Sequence, residues 1–331
     1  MTVVGNGSNS MVPLYILIHM AKDVWFGVHL PSEGKDWHYM REACLGVEAN
    51  GFDLFTTTDH FMNMWNPKGS ENHPLECWTL LSSLAAVTKR IKLGPLVSCY
   101  GYRQPTVLAK IATSVDIISG GRLIFGIGAG WHEEEFNGFM GRFPPTAERL
   151  RGLRETIEIC KGMFSNEHFT YKGRLYNVEN ALNKPQPVQK TVPIMVGGGG
   201  EKVTLQLAAR HAHISHFFTG DLKTLEAKIK ALRGHCEKVG RDYESIRKAT
   251  GFSILLGDTE AKAEEKLKKV AAMRVQLPEA LRQRIGPGFG TPERVAAQIS
   301  EYVERGVGLI TLSFTDMADM PVFSDKVMSS F

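Results

Sequence analysis

Gly120-Gly121-Arg122-Leu123-Ile124-Phe125-Gly126-Ile127-Gly128-Ala129-Gly130-Trp131 reads as a strand that is apolar at nearly every position and ends in alternating glycines. Strands buried on both faces look like this, and they belong to parallel sheets. Glycines at the C-terminal end of such a strand let a flat or phosphorylated ligand approach the backbone. The segment therefore points to an α/β fold, to the end of the sheet that binds, and to a cofactor-sized ligand.

Outward from this strand the chain alternates. Toward the N-terminus the pattern predicts strands over 24–30, 52–58 and 91–100, with helices over 37–50, 75–88 and 105–118 between them. Toward the C-terminus it predicts a long amphipathic helix over 146–164, then strands over 192–196, 213–218, 248–256 and 308–314 with further helices over 202–210 and 222–239. Eight strands with helices between them predict a (β/α)8 TIM barrel, not an open doubly wound sheet. Residues 143–147 with 168–184 read as a small hairpin insertion, and 261–291 as a helical excursion. Insertions of that length are expected as binding loops at the C-terminal face.

The chain has 331 residues, 43% hydrophobic and 22% charged, a composition of ordinary globular proteins. A formal charge of +4 with no long Lys/Arg cluster argues against nucleic acid as a partner. Five scattered cysteines without a CxxC pair predict a reduced, cytoplasmic setting and no metal site. Residues 1–22 read as an N-terminal extension and 23–331 as one barrel domain. The apolar run MVPLYILIHM at 11–20 is too short to span a membrane, so no membrane partner is expected.

In a barrel of this kind the active site lies at the C-terminal ends of the strands. That rule selects Asp59-His60, Ser98-Cys99-Tyr100, Gly128, Gly130 and Trp131, the run Gly197-Gly198-Gly199-Gly200, and His216-Phe217. The four glycines follow a buried strand and open a helix, which makes a phosphate cradle of backbone N–H groups; a ligand-free βα turn is the plainer alternative. They lack the Lys-Ser/Thr of a P-loop, and Gly126-x-Gly128-x-Gly130 has the wrong spacing for a dinucleotide fingerprint. His60 is placed to move protons near neutral pH, the alternative being a satisfied structural histidine. Glu133-Glu134-Glu135 are either functional acids or first-turn helix residues. His132 makes no zinc signature, because Phe136 stands where HExxH needs its second histidine. Trp65, Trp78 and Trp131 could wall a flat ring, although Trp78 suits core packing.

These residues fall into a known pattern. Thr58-Asp59-His60-Phe61, Ile91-Lys92-Leu93-Gly94, Arg103-Gln104-Pro105, Ser119-Gly120-Gly121-Arg122, Gly126 to Trp131, Lys184-Pro185-Gln186-Pro187 and Pro193 to Gly199 occur in the order of the bacterial luciferase-like flavin and deazaflavin oxidoreductases. The chain resembles this superfamily from about Val24 to Phe314, and within it the coenzyme F-420-dependent oxidoreductases. The resemblance implies an enzyme that passes a hydride between F-420 and a small organic substrate, with His60 handling the proton. An FMN-dependent monooxygenase and a non-catalytic flavin-binding protein are the alternatives. It further implies a non-prolyl cis peptide at Leu96–Val97 beside Ser98, and backbone amides at Gly198, Gly199 and Gly200 around a phosphate. Asp59, Gly128, Gly130 and Trp131 would shape the ring pocket, and the chain would form a homodimer. Some relatives carry a proton-donating acid where Trp131 stands, which passes that role to Glu134 or another loop residue, or leaves it unfilled.

Overall fold

The computed structural model describes residues 24–331 apart from 65, 67, 70 and 274–276; the expected extension 1–22 and Trp65 therefore lie outside the described residues. The strands in chain order are β1 (Trp25–His29), β2 (Leu54–Thr57), β3 (Lys92–Pro95), β4 (Ser98–Cys99), β5 (Phe125–Gly128), β6 (His168–Lys172), β7 (Asn177–Leu182), β8 (Ile194–Gly197), β9 (Ile214–His216), β10 (Arg247–Leu256), β11 (Phe289–Gly290) and β12 (Val307–Phe314). All ladders of the main sheet are parallel, in the order β3-β2-β1-β12-β10-β9-β8-β5-β4. The expected barrel is the observed architecture.

The single strand expected over 91–100 is in fact two. β3 pairs with β2, β4 pairs with β5, and a cis peptide between Leu96 and Val97 separates them. The break lets one stretch of backbone serve two neighbours and so close the barrel. Leu93 N–H donates to Arg122 O at 3.0 Å and Ile124 N–H to Leu93 O at 2.8 Å, joining β3 to the approach of β5. Closure demands glycine on both sides. A Cβ on Gly94 would lie 2.3 Å from Ile124 O, and one on Gly126 would lie 2.0 Å from Pro95 O.

A cluster of Leu54, Leu96, Ile124, Met195, Ile214, Ala249 and Leu309, drawn from nearly every strand, fills the barrel below the site. The larger core lies between sheet and helices. The Pro105–Ser119 helix starts on a proline, ends on Gly120 at φ +68°, and buries Leu108, Ala109, Ala112 and Val115. β6 and β7 form the expected antiparallel hairpin, and the helical excursion consists of Glu260–Met273 and Pro278–Ile285. Among the described residues, the short helices Glu133–Met140 and Asp319–Lys326 lie outside the helical ranges read from sequence. Each is eight residues with only two or three buried positions, too few to establish a period. Among the described residues no helix is long and apolar enough to cross a membrane.

Candidate active site

The C-terminal ends of the strands surround a cavity of about 470 Å³. Asp59, His60, Leu96, Val97, Ser98, Gly128, Gly130, Trp131 and Gly198, all selected from sequence, line it together. Gly199, Gly200 and Glu134 do not. Cys99 and Gly197, also selected from sequence, line it as well, with Thr58 and Ala129 of the family motifs; sequence reasoning did not single out His29, Met64, Tyr102, Thr204 and Phe218, which also line it.

His60 follows β2 and meets an acid from the Glu133–Met140 helix. Its Nδ1 lies 2.7 Å from Glu135 Oε2. Glu135 Oε1 accepts the backbone N–H groups of Phe61 at 2.7 Å and Met62 at 2.9 Å, and Tyr102 OH donates to Oε2. Burial by itself would raise the Glu135 carboxyl; the bonds from His60, Tyr102 and Met62 outweigh it and hold the group below the ordinary carboxylate value. A carboxylate only accepts, so Nδ1 of His60 carries its proton and Nε2 is the nitrogen left for the cavity. Of the three consecutive acids, Glu135 is the inward one: it is buried next to buried Phe136, while Glu133 is exposed and Glu134 is half exposed, 3.4 Å from His132. The buried neighbour Phe136 is the signal that could have identified it.

Asp59 is buried, with its oxygens already committed. Oδ2 accepts from Arg103 at 2.8 Å, Ser98 Oγ at 2.7 Å and Cys99 N–H at 3.2 Å, and Oδ1 accepts a second Arg103 bond at 3.0 Å. Arg103 also binds Glu76. Burial opposes the charge on Arg103, but Asp59 and Glu76 overcome it and hold the guanidinium protonated above its ordinary value. Ser98 Oγ accepts Trp78 Nε1–H at 3.1 Å, which places Trp78 in the core as expected of that residue. Asp59 thus braces the wall between β2 and β4 and has no lone oxygen for acid–base work.

The glycines divide their labour. A Cβ on Gly128 would lie 2.7 Å from Val97 Cγ2, and one on Gly197 would lie 2.7 Å from Val97 Cγ1. Both clear space for the Val97 side chain, which the cis Leu96–Val97 bond presents at the cavity floor. Gly130, at φ +68°, turns the chain where a Cβ would meet Cys99 Sγ at 2.4 Å. Gly198 adopts φ +130° and donates to His216 O at 3.0 Å. Gly199 packs beneath Lys228, whose Nζ lies 3.2 Å from Glu201, and Gly200 leads into the Thr204–His211 helix.

Two further histidines sit in the upper barrel. His29 Nδ1 is 3.0 Å from Thr56 Oγ1, which itself donates to Val28 O at 3.4 Å, so His29 is the donor and its Nε2 carries only a lone pair. His216 Nε2 is 2.9 Å from Thr311 Oγ1, while Nδ1 accepts Phe218 N–H at 3.3 Å. Burial, reinforced by neighbouring His60, pushes His29 down to about 4; burial, reinforced by His29, pushes His216 down to about 3. Both imidazoles are neutral at physiological pH. His216 stays behind the wall, and the residue of that strand end that reaches the cavity is Phe218 at φ +53°; Phe217 is buried.

The residues fit a flat cofactor. Thr58 Oγ1 is a buried hydroxyl on the lining without a partner among the described residues, which a bound ring could satisfy. The floor is apolar, and the glycine-rich turn offers backbone N–H groups at a helix start.

The family model described as luciferase-like monooxygenase matches residues 24–285. The chain is 28% identical over 239 residues to an F420-dependent glucose-6-phosphate dehydrogenase of Gordonia bronchialis, spanning 71% of this chain and 69% of the relative. It is 24% identical over 267 residues to an FMNH(2)-dependent dimethylsulfone monooxygenase of Pseudomonas putida, spanning 80% and 69%. The coenzyme F420-dependent tetrahydromethanopterin reductase of Methanopyrus kandleri has the same fold, with a TM-score of 0.77 at 20% identity over 93% of this chain and 99% of that one. With His60 at the mouth of a parallel barrel and the family pattern matched from 24 to 285, the chain belongs to the luciferase-like monooxygenase family.

Proposed function

We propose that this chain is an oxidoreductase that binds coenzyme F-420 in the cavity and serves hydride transfer to or from a small organic molecule. The observation that carries the reading is the His60–Glu135 pair, at 2.7 Å, opening on a cavity floored by Leu96 and Val97. Bound there, F-420 supplies the hydride chemistry. The ring would rest against Leu96, Val97 and Ser98, with Gly128 and Gly130 keeping that wall open by making room for Val97 and Cys99, and Gly198 to Gly200 would form the turn whose free N–H groups, those of Gly199 and Gly200, would hold its phosphate beside Thr204. Asp59 keeps the wall rigid through Arg103. His60 accepts or returns the substrate's proton at Nε2, and Glu135 stabilises the charged imidazole. Trp131 closes the rim.

The dimethylsulfone monooxygenase relative supports a second reading, an FMN-dependent monooxygenase. Fluorescence titration of the full chain with F-420 and with FMN separates the two. Tighter binding of F-420 is the expected result, and a Kd for FMN well below that for F-420 overturns the reading. The same proposal places the enzyme in the cytoplasm, supported by five thiols that are all buried and unpaired. It also makes the enzyme a homodimer, which sedimentation would test.

A further inference from the structure

The cavity says which kind of substrate this chain accepts, an inference that rests on the oxidoreductase reading and deepens it. The charges come first. Asp59 lines the cavity and Glu135 stands behind His60, while the nearby guanidinium of Arg103 lies off the lining and is bound to both Asp59 and Glu76. Among the described residues no lysine or arginine lines the cavity. An anionic group brought beside His60 would lie close to the buried carboxylates of Asp59 and Glu135 with no lysine or arginine on the lining to receive it, and desolvating it there is unfavourable.

The walls come second. Trp131 is 62% exposed although it lines the cavity, and its ring stands edge-on to His60 at 5.7 Å and 71°. Phe218 is 51% exposed on the lining and is tilted 4.3 Å from His216. Two aromatic faces left to water at one mouth are the apolar surface that a ligand would cover. Polar recognition is left to neutral groups such as His29, which lines the cavity and offers a lone pair at Nε2.

The geometry points to an uncharged, largely apolar substrate that packs against Trp131 and Phe218 and presents a single hydroxyl or carbonyl to His60. Sugar phosphates and carboxylic acids are the wrong class for this mouth.

A matched pair of probes tests it: cyclohexanone and cyclohexanecarboxylate, of nearly equal size and opposite in charge status. Binding is measured by saturation-transfer NMR and calorimetry on the full chain, before loading and after loading with F-420 or with FMN. The ketone is expected to bind at least about tenfold tighter than the carboxylate in every state. Trp131→Ala is expected to weaken the ketone about tenfold, more than it weakens the cofactor, and Trp131→Phe to restore most of the loss. Equal or tighter binding of the carboxylate, no saturable binding of the ketone, or a Trp131→Ala variant indistinguishable from the parent overturns the proposal. Failure of F-420 to bind while FMN loads would defeat the cofactor reading alone, because the probe comparison is then read on the FMN-loaded and unloaded chain.

Discussion

Glu135 Oε2 and His60 Nδ1 meet at 2.7 Å across 75 residues of sequence. The bond fixes the imidazole tautomer and supplies the counter-charge for its protonated form. The acid comes from a short helix after β5 and the base from the end of β2, so two strand ends must be in register for either to work.

Replacing Glu135 by Gln keeps the shape and removes the charge. Turnover of the F-420-loaded enzyme is expected to fall at least about tenfold, and His60→Ala to cost about 10²–10⁴-fold. The variant also changes acid stability. The Glu135 carboxyl lies below its ordinary 4.5 when folded, so its contribution is complete above that value and is lost as pH falls through the folded one. Urea unfolding between pH 3 and 6 should show a shallower acid limb in Glu135→Gln; an unchanged limb contradicts the assignment.

The neutral histidines give a separate pH signature. His29 is pushed down to about 4 and His216 to about 3, from 6.5, so the unfolded chain binds more protons over this interval. Stability should therefore fall as pH drops below 6.5, with a slope of up to about 1.4 kcal/mol per pH unit for each histidine. Above 6.5 neither contributes to the slope. Denaturant midpoints of the parent and of His216→Gln, compared over that range, check this: the variant should lose the His216 share, a slope of up to about 1.4 kcal/mol per pH unit.

Arg103 holds a fully buried acid. Arg103→Met leaves Asp59 and its neighbours without a cation and is expected to destabilise the fold by about 3–5 kcal/mol. The double change Arg103→Met with Asp59→Asn should recover part of this loss in chemical denaturation. No recovery would mean that the two residues are not coupled as their paired hydrogen bonds indicate.

Two glycines in one strand should fail differently. Gly126→Ala places a Cβ against backbone, 2.0 Å from Pro95 O, and is expected to prevent folding as seen by circular dichroism. Gly128→Ala meets a side chain, 2.7 Å from Val97 Cγ2, which can shift. That variant should fold and bind the cofactor about tenfold more weakly or worse in fluorescence titration, because Val97 forms the floor.

Much of this arrangement can be read along the chain. The β5 stretch announces a parallel strand because a strand covered on both faces must be apolar throughout. Position at a strand end selects His60, Asp59 and Trp131 without knowledge of their partners. What cannot be read is commitment. Asp59 looks like a free acid until Arg103, 44 residues on, is seen to bind both of its oxygens. Glu133, Glu134 and Glu135 are indistinguishable by type, and only the helix register turns one of them inward.

The succession of strands and helices, the barrel class and the end that binds follow from local pattern, because periodicity and turn chemistry are properties of neighbours in sequence. The split of the third strand, the choice of Glu135 as partner to His60, and the service of Gly128 and Gly197 to Val97 and not directly to a ligand are set by tertiary packing. Each depends on atoms within about 3 Å contributed by segments far apart in the chain, and a contact of that range exists only once the barrel has closed.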